Sequence, residues 1–140
     1  MIEPSAKRKR TLALHERAVR FSTNIIESCP KYFSNVPSKA IWENLVRAAD
    51  STSNNLIEAD DASSDADFLA KMGIAVREAK ESHVGLVKLR LARLDHYQQT
   101  AALDLESEAK QLAAIFAAII RNMRARVEVE HDRRRLSKKH

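Results

Sequence analysis

The chain has 140 residues, of which 44% are hydrophobic and 31% charged, and it contains only two glycines and three prolines. A chain of this length forms one domain and buries a core without disulfides or metal ions. So few turn-forming residues exclude an all-β protein with many hairpins and a glycine-rich phosphate loop. The abundance of Ala, Leu, Glu, Lys and Arg favours helix.

The net charge of +5 is unevenly distributed along the chain. Residues 1–20 carry +4, residues 121–140 carry +5, and the hundred residues between them carry −4. If the first and last helices lie side by side, both ends build one positive face, which attracts phosphate backbones through counterion release. The candidate nucleic-acid-binding residues are Lys7, Arg8, Lys9, Arg10, Arg17, Arg20, Arg121, Arg124 and Arg126. The alternative is that both ends are solvated segments that keep the protein soluble.

Four amphipathic segments, separated by short polar breaks, predict an all-α protein. The expected helices cover residues 6–28, 38–59, 63–94 and 101–129, and a basic tail follows at 130–140. Ser38 is expected to cap the second helix, and Ser63 or Ser64 the third. In the last segment, apolar residues repeat with heptad spacing from Leu105 to Met123. Because short breaks make sequential helices antiparallel neighbours, we predict a single up-down-up-down antiparallel four-helix bundle.

The apolar faces are wider than the seam of one bundle needs. Outside their main stripes, the third and fourth segments also carry Leu69, Ile74, Val76, Val87, Leu91, Leu94, Ile115 and Ile120. Apolar residues around more than half of a helix suggest a second buried surface. We therefore expect a homo-oligomer. The alternative is that these residues cover the rim of the core.

Motifs for enzymatic or metal chemistry are not found in the sequence. It has no Glu-x-x-His pair of the kind that binds iron in helical bundles, and no HExxH, CxxC, GxSxG or P-loop motif. We therefore expect a non-enzymatic protein without a metal or other cofactor. The single cysteine, Cys29, cannot form an internal disulfide, which is typical of the reducing cytoplasm. The longest apolar run, residues 112–120, is too short to span a bilayer, so no membrane partner is expected.

Polar residues recur every three or four positions along the second segment, at Arg47, Ser51, Asn55 and Glu58, so they share one helix face. Buried Arg, Asn and Glu side chains are costly unless they are paired. We predict a charge-assisted network in which Arg47 bonds to Glu81 or Glu58 and Asn55 ties segment ends together. Its role would be to set helix register or subunit specificity. The alternative is an ordinary solvated helix face.

The same stretch resembles a known bacterial family of four-helix bundles, the large-subunit (23S) rRNA intervening-sequence protein family. Residues 45–59 read Leu-Val-Arg-Ala-Ala-Asp-Ser-Thr-Ser-Asn-Asn-Leu-Ile-Glu-Ala, and the family shows Arg-Ala, then Ser, then Asn-Ile-x-Glu-Gly. Residues 68–75, Phe-Leu-Ala-Lys-Met-Gly-Ile-Ala, followed by Glu81, are similar to its second stretch. Three departures are Ala59, where the family usually has Gly, Ser53, where Pro is frequent, and Glu78, which stands near a usual Ser.

The resemblance implies a four-helix subunit that assembles into a ring-shaped homopentamer. The family is related to the accessory variability determinant of diversity-generating retroelements. For that branch, the resemblance implies a basic surface that binds RNA or DNA and contacts a reverse transcriptase.

Our leading hypothesis is a cytoplasmic, non-enzymatic homo-oligomer that binds RNA or DNA largely non-specifically through its basic terminal helices, as an accessory factor. The second hypothesis is a protein–protein interaction scaffold without a nucleic-acid role. The third is an enzyme or metal protein hidden in the bundle.

Overall fold

The computed structural model describes residues 2–139, which form five α-helices and no strand. The helices are α1 (Ala6–Ser28), α2 (Val36–Asp60), α3 (Asp65–Ala92), α4 (Tyr97–Ala102) and α5 (Leu105–Ser137). The four long helices form an antiparallel bundle, and the short α4 lies in the connection between α3 and α5. The prediction of an all-α helical bundle is confirmed.

Side-chain caps define where the first three helices begin. In each case a side-chain oxygen accepts a hydrogen bond from the backbone N–H three residues later; the caps are Ser5 (3.0 Å), Asn35 (2.9 Å) and Ser64 (3.1 Å). The predicted cap at Ser64 is confirmed. The predicted cap at Ser38 is wrong, because Pro37 fits the first turn of a helix and lets α2 begin earlier, at Val36.

The connection between α3 and α5 differs from the prediction. Arg93, His96 and Asp104 have φ angles of 51°, 61° and 53°, in the left-handed region that a right-handed helix cannot contain. Arg93 therefore ends α3, and Asp104 separates α4 from α5. The helix predicted at 101–129 is in fact the last part of α4 followed by a new helix that begins at Leu105.

The predicted basic tail at 130–140 is helical as far as Ser137. Ion pairs three or four residues apart support this last part of α5; they join Glu130 to Arg133 (3.8 Å) and Arg134 (3.3 Å), and Asp132 to Arg135 (3.7 Å). At 1.5 Å per residue, the 33 residues of α5 span about 50 Å. Every residue from 128 to 139 is exposed, so this part of α5 extends beyond the bundle.

The core is built around α3, which packs against both α2 and α5. Helix α1 packs mainly on α2 and touches α5 less. The largest fully buried side chains include Trp42, Phe21, Phe116, Ile25 and Leu45. Gly85 lies against Leu45, where an added Cβ would be 3.3 Å from Leu45 Cδ1. The glycine therefore lets α2 and α3 approach closely.

Most of the apolar residues outside the main stripes lie at the rim of the core. Leu69, Val76, Leu94 and Ile115 are half-buried and pack against it. Ile120 is 9% exposed and belongs to the core itself, whereas Leu91 is 70% exposed. Within one chain, these residues therefore mainly complete the core and do not form a separate apolar surface.

Asp95 joins the segment after α3 to the start of α2. Its carboxylate accepts hydrogen bonds from the backbone N–H and the hydroxyl of Ser34, both at 2.7 Å. Its backbone N–H donates to Ser38 Oγ (3.2 Å), and its carbonyl accepts from Trp42 Nε1 (2.7 Å). The bond from the Ser34 N–H, and then the bond from its hydroxyl, lower the pKa of the Asp95 carboxyl.

We predict that the folded state loses stability in acid as Asp95 is protonated. Because the folded pKa lies below the unfolded value of about 3.9, this stabilisation is complete above that value and is lost as the pH falls through the folded pKa. Asp95→Asn should be less stable than wild type at neutral pH, and the difference should shrink below pH ~4. Urea unfolding at a series of pH values measures the difference in the free energy of unfolding between Asp95→Asn and the wild type.

The matched control is Asp61→Asn, at an exposed carboxylate that ends α2. It should follow the wild-type stability curve across the same pH range. If Asp95→Asn is less stable than the wild type by the same amount at all pH values, the stabilisation does not come from the ionised carboxylate of Asp95.

Candidate nucleic-acid interface

The two basic ends of the sequence meet at one end of the bundle. Helix α5 runs antiparallel to α1, because Arg17 pairs with Glu108 near the start of α5 and Lys7 lines the same cleft as Arg126. The first turns of α1 (residues 6–10) and α5 from residue 121 onward therefore share one end of the bundle, which we call the basic end. This is the arrangement that a joint positive face requires.

Four of the nine candidate nucleic-acid-binding residues form ion pairs within the chain. The pairs are Arg8–Asp60 (2.6 Å), Lys9–Glu3 (2.8 Å), Arg20–Glu16 (3.0 Å) and Arg17–Glu108 (Nε to Oε2, 3.0 Å). The bond to Glu108 raises the pKa of Arg17, which also donates to Gln111 (2.9 Å). Because these charges are locally balanced, they attract a phosphate less than an unpaired cation does.

The other five candidates, Lys7, Arg10, Arg121, Arg124 and Arg126, have no carboxylate within 4.0 Å among residues 2–139. All five are exposed. Lys7 and Arg10 are three residues apart at the start of α1, which places them on neighbouring turns of one face. These five residues are the cations that the fold leaves available.

The three arginines of α5 do not share one face. At 3.6 residues per turn, Arg121 and Arg124 lie about 60° apart, whereas Arg126 lies about 160° from Arg124. Arg126 is on the side that faces α1, since it lines the cleft with Lys7. The basic end therefore presents cations in more than one direction.

The projecting part of α5 adds basic residues that the candidate set does not include. Arg133, Arg134, Arg135, Lys138 and Lys139 are all exposed. The three arginines are partly balanced by Glu130 and Asp132, and the lysines are not. The charge of residues 121–140 indicates these basic residues in the sequence. The prediction of a tail missed that the three arginines lie on a helix.

Two exposed surfaces of the bundle are apolar. On α1, Leu12, Val19 and Ile26 repeat every seven residues and are 42–48% exposed. A groove of about 520 Å³ lies between α3 and α5. It is lined by Val84, Ala113, Ala114 and Ala117, with Lys80 and Lys110 beside them. We call these the α1 stripe and the α3–α5 groove.

Arg47 forms ion pairs with two carboxylates of α3. Its guanidinium lies 2.9 Å from Glu81 and 3.2 Å from Glu78, and it also donates to Asn44 (3.2 Å). Of the two partners predicted for Arg47, Glu81 takes part and Glu58 does not. The network lies on the outer surface of the α2–α3 interface, because 53% of the Arg47 side chain is exposed. Glu78 is the most buried member and was not among the candidates.

The remaining network candidates bond elsewhere. Glu58 pairs with Lys71 at 3.3 Å. Asn55 donates to the backbone carbonyl and the hydroxyl of Ser51, one turn earlier on the same helix. The prediction that Asn55 ties segment ends together is therefore wrong, because its short side chain reaches the nearest acceptors, which lie within α2.

The two carboxylates beside Arg47 have different environments. Burial raises the pKa of Glu78, and the positive charge of Arg47 opposes that shift. Hydrogen bonding from Arg47 lowers the pKa of the more exposed Glu81. Arg47 therefore offsets the cost of holding an ionised, partly buried Glu78 next to a second carboxylate.

A second polar contact, between α1 and α2, was not predicted. The buried Ser22 hydroxyl lies 2.6 Å from the Ala49 carbonyl oxygen and 2.8 Å from Ser53 Oγ. Small side chains at these positions let the two helices approach closely. Ser53 is the residue that stands in place of the frequent proline, and here its hydroxyl contributes to the helix contact.

A family model described as 23S rRNA-intervening sequence protein matches residues 10–118. The chain belongs to this family. The match covers most of the bundle, and the resemblance seen at residues 45–59 and 68–75 is confirmed. The relation to the retroelement determinant stays a prediction.

The family also appears among solved structures. A protein of unknown function from the S23 ribosomal protein family of Bacteroides thetaiotaomicron has a similar structure, with a TM-score of 0.60 and 22% sequence identity. The alignment covers 76% of this chain and 97% of that chain. At this identity the likeness shows the fold alone. No curated protein matches the chain.

No helix in the described part of the chain, residues 2–139, is long and apolar enough to cross a membrane. No three His, Cys, Asp or Glu side chains within residues 2–139 are grouped so that they could hold a metal ion. The expectation that the protein is not an enzyme stays a prediction.

We predict that Arg47→Ala destabilises this family member by about 1 kcal/mol, because an exposed ion-pair network contributes on that order. Without Arg47, the pKa of Glu78 rises further above its unfolded value of about 4.3. The destabilisation should therefore be smallest below that pH and grow as the pH rises through the folded pKa. Urea unfolding at several pH values measures the change.

The control is Arg77→Ala, at an exposed arginine of α3 without an ion pair in the described chain. It should change stability little at any pH. Adding Glu78→Gln to Arg47→Ala should restore part of the loss. If Arg47→Ala is as stable as the wild type at neutral pH, the network does not stabilise the fold and the prediction is wrong.

Proposed function

We propose that this protein is a non-enzymatic, homo-oligomeric helical bundle that binds RNA or DNA largely without sequence preference, as an accessory factor. The basic end carries the binding. The observation that supports this most directly is the antiparallel arrangement of α1 and α5, which places the unpaired cations of both termini at one end of the bundle. A joint positive field attracts a polyanion more strongly than two separated patches do.

The chemistry of the basic end favours phosphate contacts over base contacts. Its available side chains are lysines and arginines on helix surfaces, which bind phosphates without reading sequence. An exposed aromatic side chain stacks on bases, but none of the seven aromatic residues is exposed at the basic end, where Phe68 is half-buried. Trp42 is fully buried, Phe33 and Tyr97 pack against the core, and Tyr32 is exposed at the other end of the bundle. Binding should therefore depend on salt more than on sequence.

The proposed assembly uses the α1 stripe and the α3–α5 groove. They are different surfaces of the chain, so a contact between them is head-to-tail and closes into a ring when the rotation between subunits allows it. Small alanine side chains in the groove leave room for the stripe of a neighbouring copy. Glu27 is exposed beside the stripe, and Lys80 and Lys110 flank the groove, so the charges are complementary.

A ring-shaped homopentamer is the assembly that the family resemblance implies, and we propose it for this chain. Five basic ends on one particle would bind a polyanion with avidity even if each contact is weak. If the chain is of the retroelement branch, we also propose that it contacts a reverse transcriptase.

The second candidate function is a protein–protein interaction scaffold without a nucleic-acid role. The exposed α1 stripe favours it, because apolar residues repeated every seven positions on a helix are typical of helix–helix contacts. In that case the charged ends act only to keep the protein soluble.

We predict that reversing Arg121, Arg124 and Arg126 to Glu weakens binding to every RNA and DNA sequence. Each lost phosphate contact should also reduce the dependence of log K on log salt by about 0.9 for duplex DNA. Binding of labelled single- and double-stranded RNA and DNA at two salt concentrations measures both effects.

The matched control reverses Lys31, Lys39 and Lys88 to Glu, which changes the net charge equally at the other end of the bundle. It should lower affinity much less. Equal losses in the two triple variants would refute an interface at the basic end, and no salt-sensitive binding by the wild type would favour the scaffold function.

We predict that the wild type has a solution mass that is a multiple of the 15.8 kDa chain. Val19→Lys should reduce that mass, because it places a lysine on the α1 stripe opposite Lys80 and Lys110. Ala13→Lys, on another face of α1, should leave the mass unchanged. Light scattering coupled to size-exclusion chromatography measures the solution mass of the wild type and of both variants. A monomeric wild type, or equal effects of the two variants, would contradict the proposed interface.

A further inference from the structure

The loosest seam of the bundle, between α1 and α5, contains a cleft of about 370 Å³ at the basic end. Helix α1 packs mainly on α2, and α5 packs mainly on α3, so fewer contacts join α1 to α5. Toward the other end of the seam, Arg17 bridges the two helices by its bonds to Glu108 and Gln111. No such polar bridge closes the described seam at the cleft.

The floor of the cleft is apolar. It consists of Leu14, Leu56, Phe68, Met72, Ile119 and Met123, which come from all four long helices. Leu56 and Met72 are almost completely buried, and the other four are half-buried, so apolar surface faces the open space. Burial of that surface by an apolar group is favourable. The flexible side chains of the two methionines adapt to the shape of an occupant.

The rim of the cleft carries two available cations. Lys7 stands on α1 and Arg126 on α5, and neither has a carboxylate within 4.0 Å among residues 2–139. Asp60 is the only carboxylate among the lining residues, and Arg8 holds it at 2.6 Å. The rim is therefore positive above an apolar floor, which is the complement of an anionic head on an apolar tail.

The size and lining of the cleft indicate which occupant fits. Its volume lies in the range of small-molecule sites, about 300–1,000 Å³, and is small for a partner helix, which is about 10 Å across. Thr11, His15 and Asn122 also line the cleft, but the six side chains of the floor offer no hydrogen-bond partner to the edges of a nucleobase. An alkyl chain needs only apolar contacts.

We propose that this cleft binds a small amphiphilic anion, with an alkyl chain among the floor side chains and a carboxylate or phosphate head between Lys7 and Arg126. Such a ligand contacts α1 and α5 at once and so closes the loosest seam. Because it binds the folded chain only, it should raise the melting temperature in a concentration-dependent way. This inference does not depend on nucleic-acid binding.

The test is calorimetric titration of the full chain with octanoate and with octyl phosphate, both kept below micelle-forming concentrations. We expect saturable binding of at least one of them, about tenfold or more tighter than octanol, because an ionic head on two cations contributes more than a neutral hydroxyl. The tighter anion identifies the head group. Acetate and inorganic phosphate, which lack the tail, should not saturate.

Two variants test the two parts of the site. Lys7→Ala with Arg126→Ala should weaken octanoate or octyl phosphate binding about tenfold or more. Ile119→Phe should abolish it by filling the floor while every basic side chain stays in place, so it separates this site from phosphate binding at the basic end. Arg124→Ala is the matched control, since Arg124 is also unpaired on α5 but does not line the cleft.

The proposal is overturned by any of four results. The first is that neither anion binds the wild type saturably. The second is that octanol binds as tightly as the anions do. The third is that Arg124→Ala weakens binding as much as the double variant does. The fourth is that folded Ile119→Phe, checked by circular dichroism, binds the anions like the wild type.

Discussion

The short connections between the long helices are the constraint on which the rest of the structure depends. Seven residues separate α1 from α2 and four separate α2 from α3, so each helix must return along its predecessor. The connection from α3 to α5 is longer, but α4 folds it back across the end of the bundle. After three reversals, α1 and α5 run antiparallel, and the chain's two basic segments meet.

The unequal packing of the four seams has a second consequence. Helix α3 is shared by two well-packed interfaces, and Gly85 against Leu45 shows how closely α2 and α3 approach. The α1–α5 seam is left with a polar bridge at Arg17 and a cleft at Lys7. Because α1 and α5 pack loosely, a cleft stays open between them. Its apolar floor is built from all four long helices, and Lys7 and Arg126 lie at its rim.

Charge on this protein acts differently at different places. Arg47 lies between two carboxylates and stabilises the pairing of α2 with α3, and Arg17 holds α1 to α5. Lys7 and Arg126 belong to the same residue classes but have no carboxylate beside them in the described chain. Whether a cation stabilises the fold or is available to a ligand therefore depends on which helix packs next to it, and residue type alone does not decide it.

The sequence by itself determined the helical class, the approximate helix positions, the cap of α3 and the family, because periodicity and capping act over a few neighbouring residues. The tertiary structure decided the rest. It selected Glu81 from the two predicted partners of Arg47 and added Glu78. It also divided the last helix at Asp104, made most of the predicted tail part of α5, and determined which of the nine basic candidates are paired. These outcomes depend on contacts between residues far apart in the chain, and no local pattern specifies which long side chains meet across a helix interface.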